Sequence, residues 1–384
     1  MINLNSPNFF GNELKYLNEC IKTGWVSTSG KYIKKFENKV CAFTKSKYSV
    51  GIINATSALD ISLKLLGVKE NDEIIAPTLT FISPINSILY NKASPIFMDC
   101  DKFCNIDSKK VIKFINDKTV FKKGYSYNKI SKKRVSVLIV VHVWGNAVYL
   151  DDLISLCKKR NIKILEDASE SLGTFYSKGK NAGKHTGTIG DLGCISFNAN
   201  KIITCGGGGV ILTNKKHYAK KANYLVTQAK DNPIKYIHNA IGYNLKMTNV
   251  HAAIGLAQFE NISKILRLKK KINSFYKTTL SKINNVELLN SPEYSINNNW
   301  FNILKISKFN KIKNIDQLIK KFHKYDIQTR PIWQLNHLQK HLKNYQIFEI
   351  KLANKIIKQS LCLPSSSHLT QNELNKVIKI LKLI

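Results

Sequence analysis

Short apolar segments alternate with amphipathic segments between about residues 50 and 215 of this 384-residue chain. The segment "TSALDISLKLLG" predicts a helix that ends at Gly67, with Leu59, Leu63 and Leu66 on one face. Predicted strands flank such helices, among them "YSVGIINA", "DEIIAPTLTF", "SPIFMDCD", "VSVLIVVHVWG" and "IKILEDA". Apolar strands that alternate with helices are typical of a parallel or mostly parallel sheet covered on both faces. We therefore predict an α/β fold.

The pattern changes near residue 250. The stretch "TNVHAAIGLAQFENISKILRLKKKINSFYKTTLSKI" predicts one long helix, and a mixed α+β segment follows it, ending in a helix through "QNELNKVIKILKLI". We predict a large α/β domain over residues 1–250 and a smaller C-terminal α+β domain over residues 251–384.

Composition excludes several classes of protein. Hydrophobic residues make up 43% of the chain, which is enough for a sizeable core. No apolar run is long enough for a membrane span, and the N-terminus lacks the pattern of a secretory signal. The eight cysteines are scattered without a CxxC pair, so we expect reduced thiols in a cytoplasmic protein and no metal site.

The formal net charge of +35 raises the question of nucleic-acid binding. Nearly all the basic residues are lysines, whereas phosphate recognition usually exploits the bidentate arginine fork. We therefore do not expect nucleic acid as a partner. A basic, nucleic-acid-associated binding protein with an inactive enzyme fold is the alternative from another functional class. The positive field can also steer a phosphorylated small molecule toward a cleft.

Polar residues follow several predicted strands, at the edge where open α/β sheets bind ligands. In "NATSALD", Thr56 and Ser57 begin a helix whose free N–H groups suit a phosphate, the alternative being an ordinary N-cap. In "LEDASESLG", Glu166 and Asp167 close a strand. A carboxylate there can hold a protonated ring nitrogen through a charge-assisted bond, the alternative again being an N-cap.

The stretch "SFNANKIITCGGGG" presents Ser196 and then Lys201, followed by Gly206–Gly209. A surface hairpin is one interpretation. The other is a pocket lysine whose burial favours the neutral amine, which is a nucleophile toward carbonyls and suits a Schiff base. Phe81 ends another predicted strand and either packs in the core or stacks on a ring. Together these groups are what pyridoxal 5′-phosphate needs.

Six blocks of the sequence, in this order, carry a resemblance to a known family: "NATSALD", "APTLTF", "EDASESLG", "SFNANKIITCGGGG", "GYNLKMTNVHAAIGLAQ" and "TRPIWQLNH". The chain resembles, along nearly its whole length, the DegT/StrS-type sugar-nucleotide aminotransferases. These are enzymes of fold type I that use pyridoxal 5′-phosphate and, between their half-reactions, pyridoxamine 5′-phosphate. The resemblance implies this fold, with the cofactor in the large domain.

The resemblance also implies roles for single residues. Lys201 would form the Schiff base and carry the proton, and Asp167 would pair with the pyridine nitrogen. The other cofactor contacts implied are the ring-stacking Phe81, the group near the cofactor's hydroxyl, Glu170, and the phosphate ligands Thr56, Ser57, Ser196 and Asn244. Asn244 would serve the neighbouring subunit's cofactor, which implies a homodimer with shared active sites.

Three further residues are implied on the substrate side: Arg330, His337 and Lys246. Lys246, like Lys230, stands where relatives of the family commonly have arginine, and lysine lacks the bidentate fork. Binding of the substrate pyrophosphate or of the donor carboxylate is therefore expected to differ from that in relatives with arginine.

The implied reaction moves an amino group from glutamate to a 4-keto-6-deoxy sugar nucleotide for surface glycan biosynthesis, a 3-keto sugar being the less favoured form. The sequence is most similar to the branch that acts on UDP-linked N-acetylhexosamines. A GDP-perosamine-type synthase and a cyclitol aminotransferase are the alternatives. The related dehydratases have histidine at the lysine position, so Lys201 argues against dehydration.

Overall fold

The structure is a computed structural model and describes residues 1–309 and 312–382. Its strands are β1 (Tyr48–Ile52), β2 (Glu73–Pro77), β3 (Ser94–Met98), β4 (Thr119–Lys122), β5 (Tyr125–Asn128), β6 (Val135–Val141), β7 (Lys163–Asp167), β8 (Phe175–Tyr176), β9 (Leu192–Ser196), β10 (Gly209–Thr213), β11 (Lys230–Asn232), β12 (Ile237–His238), β13 (Val286–Leu288), β14 (Ser295–Ile296), β15 (Asn302–Ile306), β16 (Arg330–Pro331), β17 (Ile347–Phe348) and β18 (Ser360–Leu363).

The helices are α1 (Glu13–Thr23), α2 (Lys31–Thr44), α3 (Ala55–Leu65), α4 (Ser83–Tyr90), α5 (Ser108–Lys118), α6 (Asp151–Lys159), α7 (Lys216–Val226), α8 (Asn249–Glu260), α9 (Ile262–Leu280), α10 (Ile315–His323), α11 (Leu352–Ile356) and α12 (Gln371–Leu381). No helix in the described ranges is at once long enough and apolar enough to cross a lipid bilayer.

An eight-stranded sheet lies at the centre, in the order β1-β10-β9-β7-β6-β2-β3-β17. The pairs β1–β10 and β10–β9 are antiparallel, and the others are parallel. All seven residues of β6 are buried, with Val137 and Ile139 in one apolar cluster and Leu138 and Val140 in another. Because alternate residues of a strand face opposite sides, both faces of the sheet are covered. The predicted α/β fold is confirmed.

The long helix predicted from residue 248 onward is wrong in one respect, because it is two helices. α8 ends at Glu260 and α9 begins at Ile262, with Asn261 between them at φ −108° and ψ 7°. The Asn261 side chain donates a hydrogen bond to the Ala257 carbonyl. Asparagine competes with the helical backbone for hydrogen bonds, which accounts for the break at this residue.

A second, antiparallel sheet in the order β13-β15-β18-β16 packs with α9, α10 and α12 around its own apolar cluster, which contains Tyr276, Phe322 and Leu361. The C-terminal third also returns to the central sheet, because β17 pairs in parallel with β3. The predicted division into residues 1–250 and 251–384 stays a prediction.

Candidate active site

A cavity of about 580 Å³ opens at the carboxyl ends of β2, β6, β7 and β9. Thr80, Val141, Asp167 and Ser196 line it from the ends of these strands or the loops that follow them. Parallel strands present their carboxyl ends at one edge of the sheet, which brings residues from distant parts of the sequence together there. Residues of the C-terminal part of the chain close the other wall: Trp300, Phe301, Arg330, Pro331, Ile332, Trp333, Gln334 and Cys362.

Lys201 lies in the turn that follows β9, and its side chain is only 14% exposed. Its Nζ lies 3.6 Å from Glu170 Oε1 and 3.9 Å from the centroid of the Trp300 ring. Burial lowers the pKa of the Lys201 amine, and the carboxylates of Glu170 and Asp167 oppose that shift. The interpretation of this stretch as a surface hairpin is therefore wrong, since the amine points into a cavity.

Asp167 is the last residue of β7 and is 4% exposed. Burial raises the pKa of its carboxyl group, whereas a hydrogen bond from the Ser169 N–H and the nearby Lys201 charge lower it. A turn follows Asp167, so its interpretation as a helix N-cap is wrong. Its carboxylate is a buried acceptor on the cavity wall, opposite in charge to the amine of Lys201.

Glu170 is the second carboxylate of the cavity. Burial raises the pKa of Glu170 to about 7. The Lys201 charge and the backbone N–H of Trp144, which donates to Glu170 Oε2 at 2.8 Å, act in the opposite direction. The group therefore exchanges its proton near neutral pH. It lies beside the lysine amine, where such exchange is useful in a reaction that moves protons.

Glu166, the residue before Asp167 in β7, does not line the cavity and instead bonds to neighbouring protein groups. Its carboxylate pairs with His142 Nε2 at 2.9 Å and accepts N–H groups from Gly187, Ile189 and Gly190. Burial alone would raise the pKa of Glu166, but these bonds outweigh it and the pKa is lowered. The two adjacent carboxylates thus point to opposite sides, as neighbouring strand residues do.

The helix α3 points its first turn at the cavity. Asn54 caps it, with Oδ1 accepting the Ser57 N–H at 2.8 Å, so the interpretation of Thr56 and Ser57 as N-caps is wrong. Thr56 lines the cavity and donates to Ser83 Oγ at 3.0 Å, and Ser196 lines the cavity from the end of β9. Ser57 is not among the lining residues.

The glycine turn lies directly against the start of α3. Asn54 and Gly208 form a parallel β-bridge, and a Cβ on Gly209 would lie 2.7 Å from the Ala55 nitrogen. Gly208 has φ +124°, a value that side chains disfavour. The backbone after Lys201 and the helix N-terminus therefore form one tightly packed unit.

Phe81 is 52% exposed and lines the cavity, so its interpretation as a core residue is wrong. Its ring meets Trp333 edge-on, with centroids 6.3 Å apart, and Trp333 stacks on Trp144 at 5.3 Å. The Trp144 Nε1–H is buried and finds no hydrogen-bond partner in the described part of the chain.

The structure leaves three of the other predicted residues outside this cavity. Asn244 is exposed, and its backbone bridges to Thr227. Lys246 Nζ bonds to Glu37 Oε1 at 2.8 Å, and His337 Nδ1 lies 2.6 Å from Thr78 Oγ1. Arg330, by contrast, lines the cavity.

Sequence reasoning missed the tryptophans. Three of the chain's four line the cavity: Trp144, Trp300 and Trp333. Trp333 lies inside the block "TRPIWQLNH", which supplied a signal, but Trp144 and Trp300 lie in no pattern that marks a site. Their rarity in the sequence was the only available hint.

The residues present fit pyridoxal 5′-phosphate. The cavity combines a buried primary amine, a buried carboxylate, an exposed phenyl ring and the N-terminus of an eleven-residue helix. These suit respectively an aldehyde, a pyridine nitrogen, an aromatic face and a phosphate. Within the described residues, no three His, Cys, Asp or Glu side chains are grouped to hold a metal ion.

Comparisons with known proteins agree with this geometry. The model of the DegT/DnrJ/EryC1/StrS aminotransferase family matches residues 9–382. The GDP-perosamine synthase of Vibrio cholerae is 31% identical, over 100% of this chain and 98% of its own length. The UDP-4-amino-4,6-dideoxy-N-acetyl-beta-L-altrosamine transaminase of Campylobacter jejuni is 28% identical, over 81% of this chain and 74% of its own length.

The fold is also that of a solved aminotransferase. The crystal structure of TlmJ from Streptoalloteichus hindustanus superimposes with a TM-score of 0.87 at 23% identity, covering 100% of this chain and 98% of that one. The chain belongs to the DegT/DnrJ/EryC1/StrS aminotransferase family. It is a sugar aminotransferase of fold type I with pyridoxal 5′-phosphate as its cofactor, as the sequence predicted.

Proposed function

We propose that this sugar aminotransferase of the DegT/DnrJ/EryC1/StrS family moves the amino group of glutamate to C4 of a nucleotide-linked 4-keto-6-deoxy sugar. The observation that carries the proposal is the buried Lys201 amine, 3.6 Å from the Glu170 carboxylate, in a cavity that the first turn of α3 also faces. An amine held between carboxylates in a cavity is suited to covalent capture of an aldehyde and to proton transfer.

Seven residues of this chain are proposed to hold the cofactor, among them Glu170 near its hydroxyl group. Lys201 would bind the aldehyde carbon, Asp167 the ring nitrogen, and Phe81 one face of the ring. Thr56 and Ser196 would bind the phosphate together with the first turn of α3, whose dipole and free N–H groups favour an anion. Ser57 is proposed as a further phosphate ligand, although its N–H already bonds to Asn54.

Pyridoxal 5′-phosphate, when bound, supplies an electron sink that makes the α-proton of the amino donor acidic enough to be removed. The chain supplies the base. Burial lowers the pKa of the Lys201 amine, which favours the neutral Nζ that would accept that proton. Glu170, with a pKa of about 7, holds or releases a proton next to the same atom.

Arg330 is the substrate ligand that this chain places best. Its side chain borders the cavity, and among the residues that the structure describes the guanidinium donates one hydrogen bond, from Nη1 to the Thr329 carbonyl at 3.3 Å. The guanidinium is therefore free to bind a donor carboxylate or a phosphate. Lys246 and His337 were also predicted as substrate ligands. Each of them bonds to another group of the protein, so it would contact substrate only after that bond opens.

Two nucleotide sugars compete as the substrate. A UDP-linked 4-keto-6-deoxy-N-acetylhexosamine is the substrate we propose first, from the sequence blocks and in keeping with the transaminase of Campylobacter jejuni. A GDP-linked 4-keto-6-deoxy sugar is the second candidate. The observation that favours it is the match to the GDP-perosamine synthase of Vibrio cholerae over the whole of this chain.

The experiment that tests the function is a coupled assay with glutamate as donor and 2-oxoglutarate as the measured product. UDP-, GDP- and dTDP-linked 4-keto-6-deoxy sugars are offered separately. We expect 2-oxoglutarate with the UDP-linked sugar. A clear preference for the GDP-linked sugar would instead favour the second candidate substrate. Formation of 2-oxoglutarate with none of the three, by a protein that does bind the cofactor, would refute the proposed substrate class.

We further propose a cytoplasmic homodimer in which Asn244 reaches the cofactor phosphate of the partner subunit. Asn244 is exposed and is not among the residues that line its own chain's cavity, and Ile241, three residues earlier in the sequence, is 84% exposed. All eight cysteines, each within the described part of the chain, carry free thiols, which suits a reducing compartment.

Mixing Lys201→Ala with Asn244→Ala subunits should restore part of the activity. Failure to do so after proven subunit exchange would contradict the shared site.

A further inference from the structure

Trp300 contacts the lysine segment in two ways. Its side chain is 2% exposed, and the Lys201 Nζ lies 3.9 Å from the ring centroid. Its Nε1–H donates to the Asn200 carbonyl at 2.6 Å. The ring face thus receives the amine, while the ring nitrogen holds the peptide carbonyl just before Lys201. A cation over a tryptophan face at this distance is attracted to it.

Lys269 holds Trp300 from behind. This lysine of α9 is 2% exposed, and its Nζ donates to the Trp300 carbonyl at 3.2 Å, to Asn5 Oδ1 at 2.8 Å and to the Ser365 carbonyl. An ammonium has three N–H donors, and here three oxygens accept them. Asn5 in turn donates through Nδ2 to the Asn200 carbonyl, the same oxygen that Trp300 bonds.

Burying an ammonium without a carboxylate beside it costs free energy, because the charge loses its hydration. No acidic group of the described residues forms an ion pair with Lys269, and burial lowers the pKa of its amine to about 7. A methionine would fill the same space without that penalty. What an apolar side chain would not supply is the set of three bonds that joins the N-terminal segment, the Trp300 loop and the Ser365 loop.

We propose that Lys269 and Trp300 are positioning residues that fix the Asn200–Lys201 segment and hold the Lys201 amine in place. The inference rests on the proposed role of Lys201 and deepens it. Lys269 holds the Trp300 backbone and Asn5. The Trp300 Nε1–H and the Asn5 side chain both donate to the Asn200 carbonyl, and the Trp300 ring limits where the Lys201 amine goes. Lys269 does not contact the reacting atoms in this scheme, whereas the Trp300 ring contacts the Lys201 amine itself.

The test compares Lys269→Met and Trp300→Phe with the wild type. Lys270→Met is the matched control, because Lys270 is the next residue of α9, is exposed, and loses the same charge. Three quantities are measured: the unfolding temperature, the rate and affinity of pyridoxal 5′-phosphate binding to the apoenzyme followed by visible absorbance, and kcat and KM for both substrates. The pH titration of the bound cofactor's absorbance is recorded for each variant.

We expect Lys269→Met and Trp300→Phe to slow cofactor binding and to lower kcat about tenfold, with KM nearly unchanged and Lys270→Met like the wild type. The pH titration of the absorbance should move in both variants. Because both act through one segment, the double variant should cost little more than either single one.

A lowered unfolding temperature with unchanged binding rate, kcat and pH titration would show a purely structural role and overturn the inference. Should Lys269→Met fail to fold, Trp300→Phe decides alone, since it keeps an aromatic ring and loses only the N–H bond and some ring area. Borohydride reduction distinguishes failure of this inference from failure of the proposed function. A cofactor label on a lysine other than Lys201 would refute the proposed function. A label on Lys201, with cofactor binding, kcat and pH titration unchanged in both variants, would refute only the positioning role of Lys269 and Trp300.

Discussion

The amine of Lys201 and the carboxylate of Glu170 lie 3.6 Å apart, with side chains that are only 14% and 5% exposed. The pKa values of the two groups move toward each other, because burial lowers that of the amine and raises that of the carboxyl group to about 7. Burial therefore disfavours the charged form of both side chains, and each charge partly offsets that effect on the other.

Lys201→Ala should lose transaminase activity by at least about a thousandfold, because it removes both the nucleophile and the proton carrier. The protein should still fold, since burial disfavours the charged form of this amine, and the unfolding temperature of the variant checks this. Borohydride reduction of the wild type, followed by mass spectrometry of its peptides, should place the cofactor on Lys201. A label on any other lysine would contradict the assignment.

Glu170→Gln should flatten the pH dependence of stability of the apoenzyme below neutral pH. The folded protein holds the Glu170 proton up to a pKa of about 7, whereas the unfolded chain releases it near its ordinary value of 4.5. The wild type therefore loses stability as the pH rises through this window, and the glutamine variant should lose less, keeping only the part that comes from other buried acids with raised pKa values such as Asp101 and Asp167. Thermal unfolding between those pH values measures the difference, and parallel curves for the two proteins would refute it.

Asp167→Asn should abolish most activity while leaving the apoenzyme at least as stable as the wild type. Burial raises the pKa of this carboxyl group, so its charge is unfavourable until a cationic ring nitrogen pairs with it. We expect a loss in kcat of about a hundredfold or more. Unfolding temperatures with and without cofactor test the pairing: the gain on cofactor binding should be smaller in the variant.

Gly209→Ala should weaken cofactor binding and lower stability by about 1–3 kcal/mol. The new Cβ would meet the Ala55 nitrogen at 2.7 Å, and the start of α3 would have to move. Gly207→Ala is the matched folding control, because its Cβ meets nothing closer than 3.6 Å. Equal unfolding temperatures for the two variants would show that the close approach at Gly209 is unimportant.

Arg330→Ala should raise the KM for glutamate or for the sugar nucleotide about tenfold or more, because it removes a free guanidinium from the cavity rim. The substrate whose KM rises is the one that Arg330 binds. Arg267→Ala, an exposed arginine on α9, serves as the control for the loss of charge. No change in either KM would remove Arg330 from the binding site.

The sequence allowed the fold and much of the site to be predicted for a common physical reason. Parallel strands bring their carboxyl ends to one edge, so Asp167, Ser196 and Lys201 were expected near each other, and the structure places all three at the cavity. The interruption at Asn261 was not foreseen, because the apolar pattern continues through it into α9.

The contributions of Trp300 and Lys269 could not be predicted. Lys269 sits in a run of three lysines that looks like an exposed helix face, and only the tertiary fold shows that one of them is buried. Trp300 meets Asn200 across 100 residues of sequence. Such contacts follow no sequence periodicity. The acceptors are mostly backbone carbonyls, which every residue carries, so the sequence does not mark them.

The bridge between Asn54 and Gly208 has a mechanical consequence. It ties the turn that follows Lys201 to the start of α3, so on the proposed assignment one stiff frame would hold both the aldehyde end and the phosphate end of the coenzyme. On that assignment we expect motion during turnover in the Lys201 side chain and in the opposite wall of the cavity. Preference for one sugar over another is accordingly free to drift in that wall, from residue 300 onward, while the anchoring frame stays as it is.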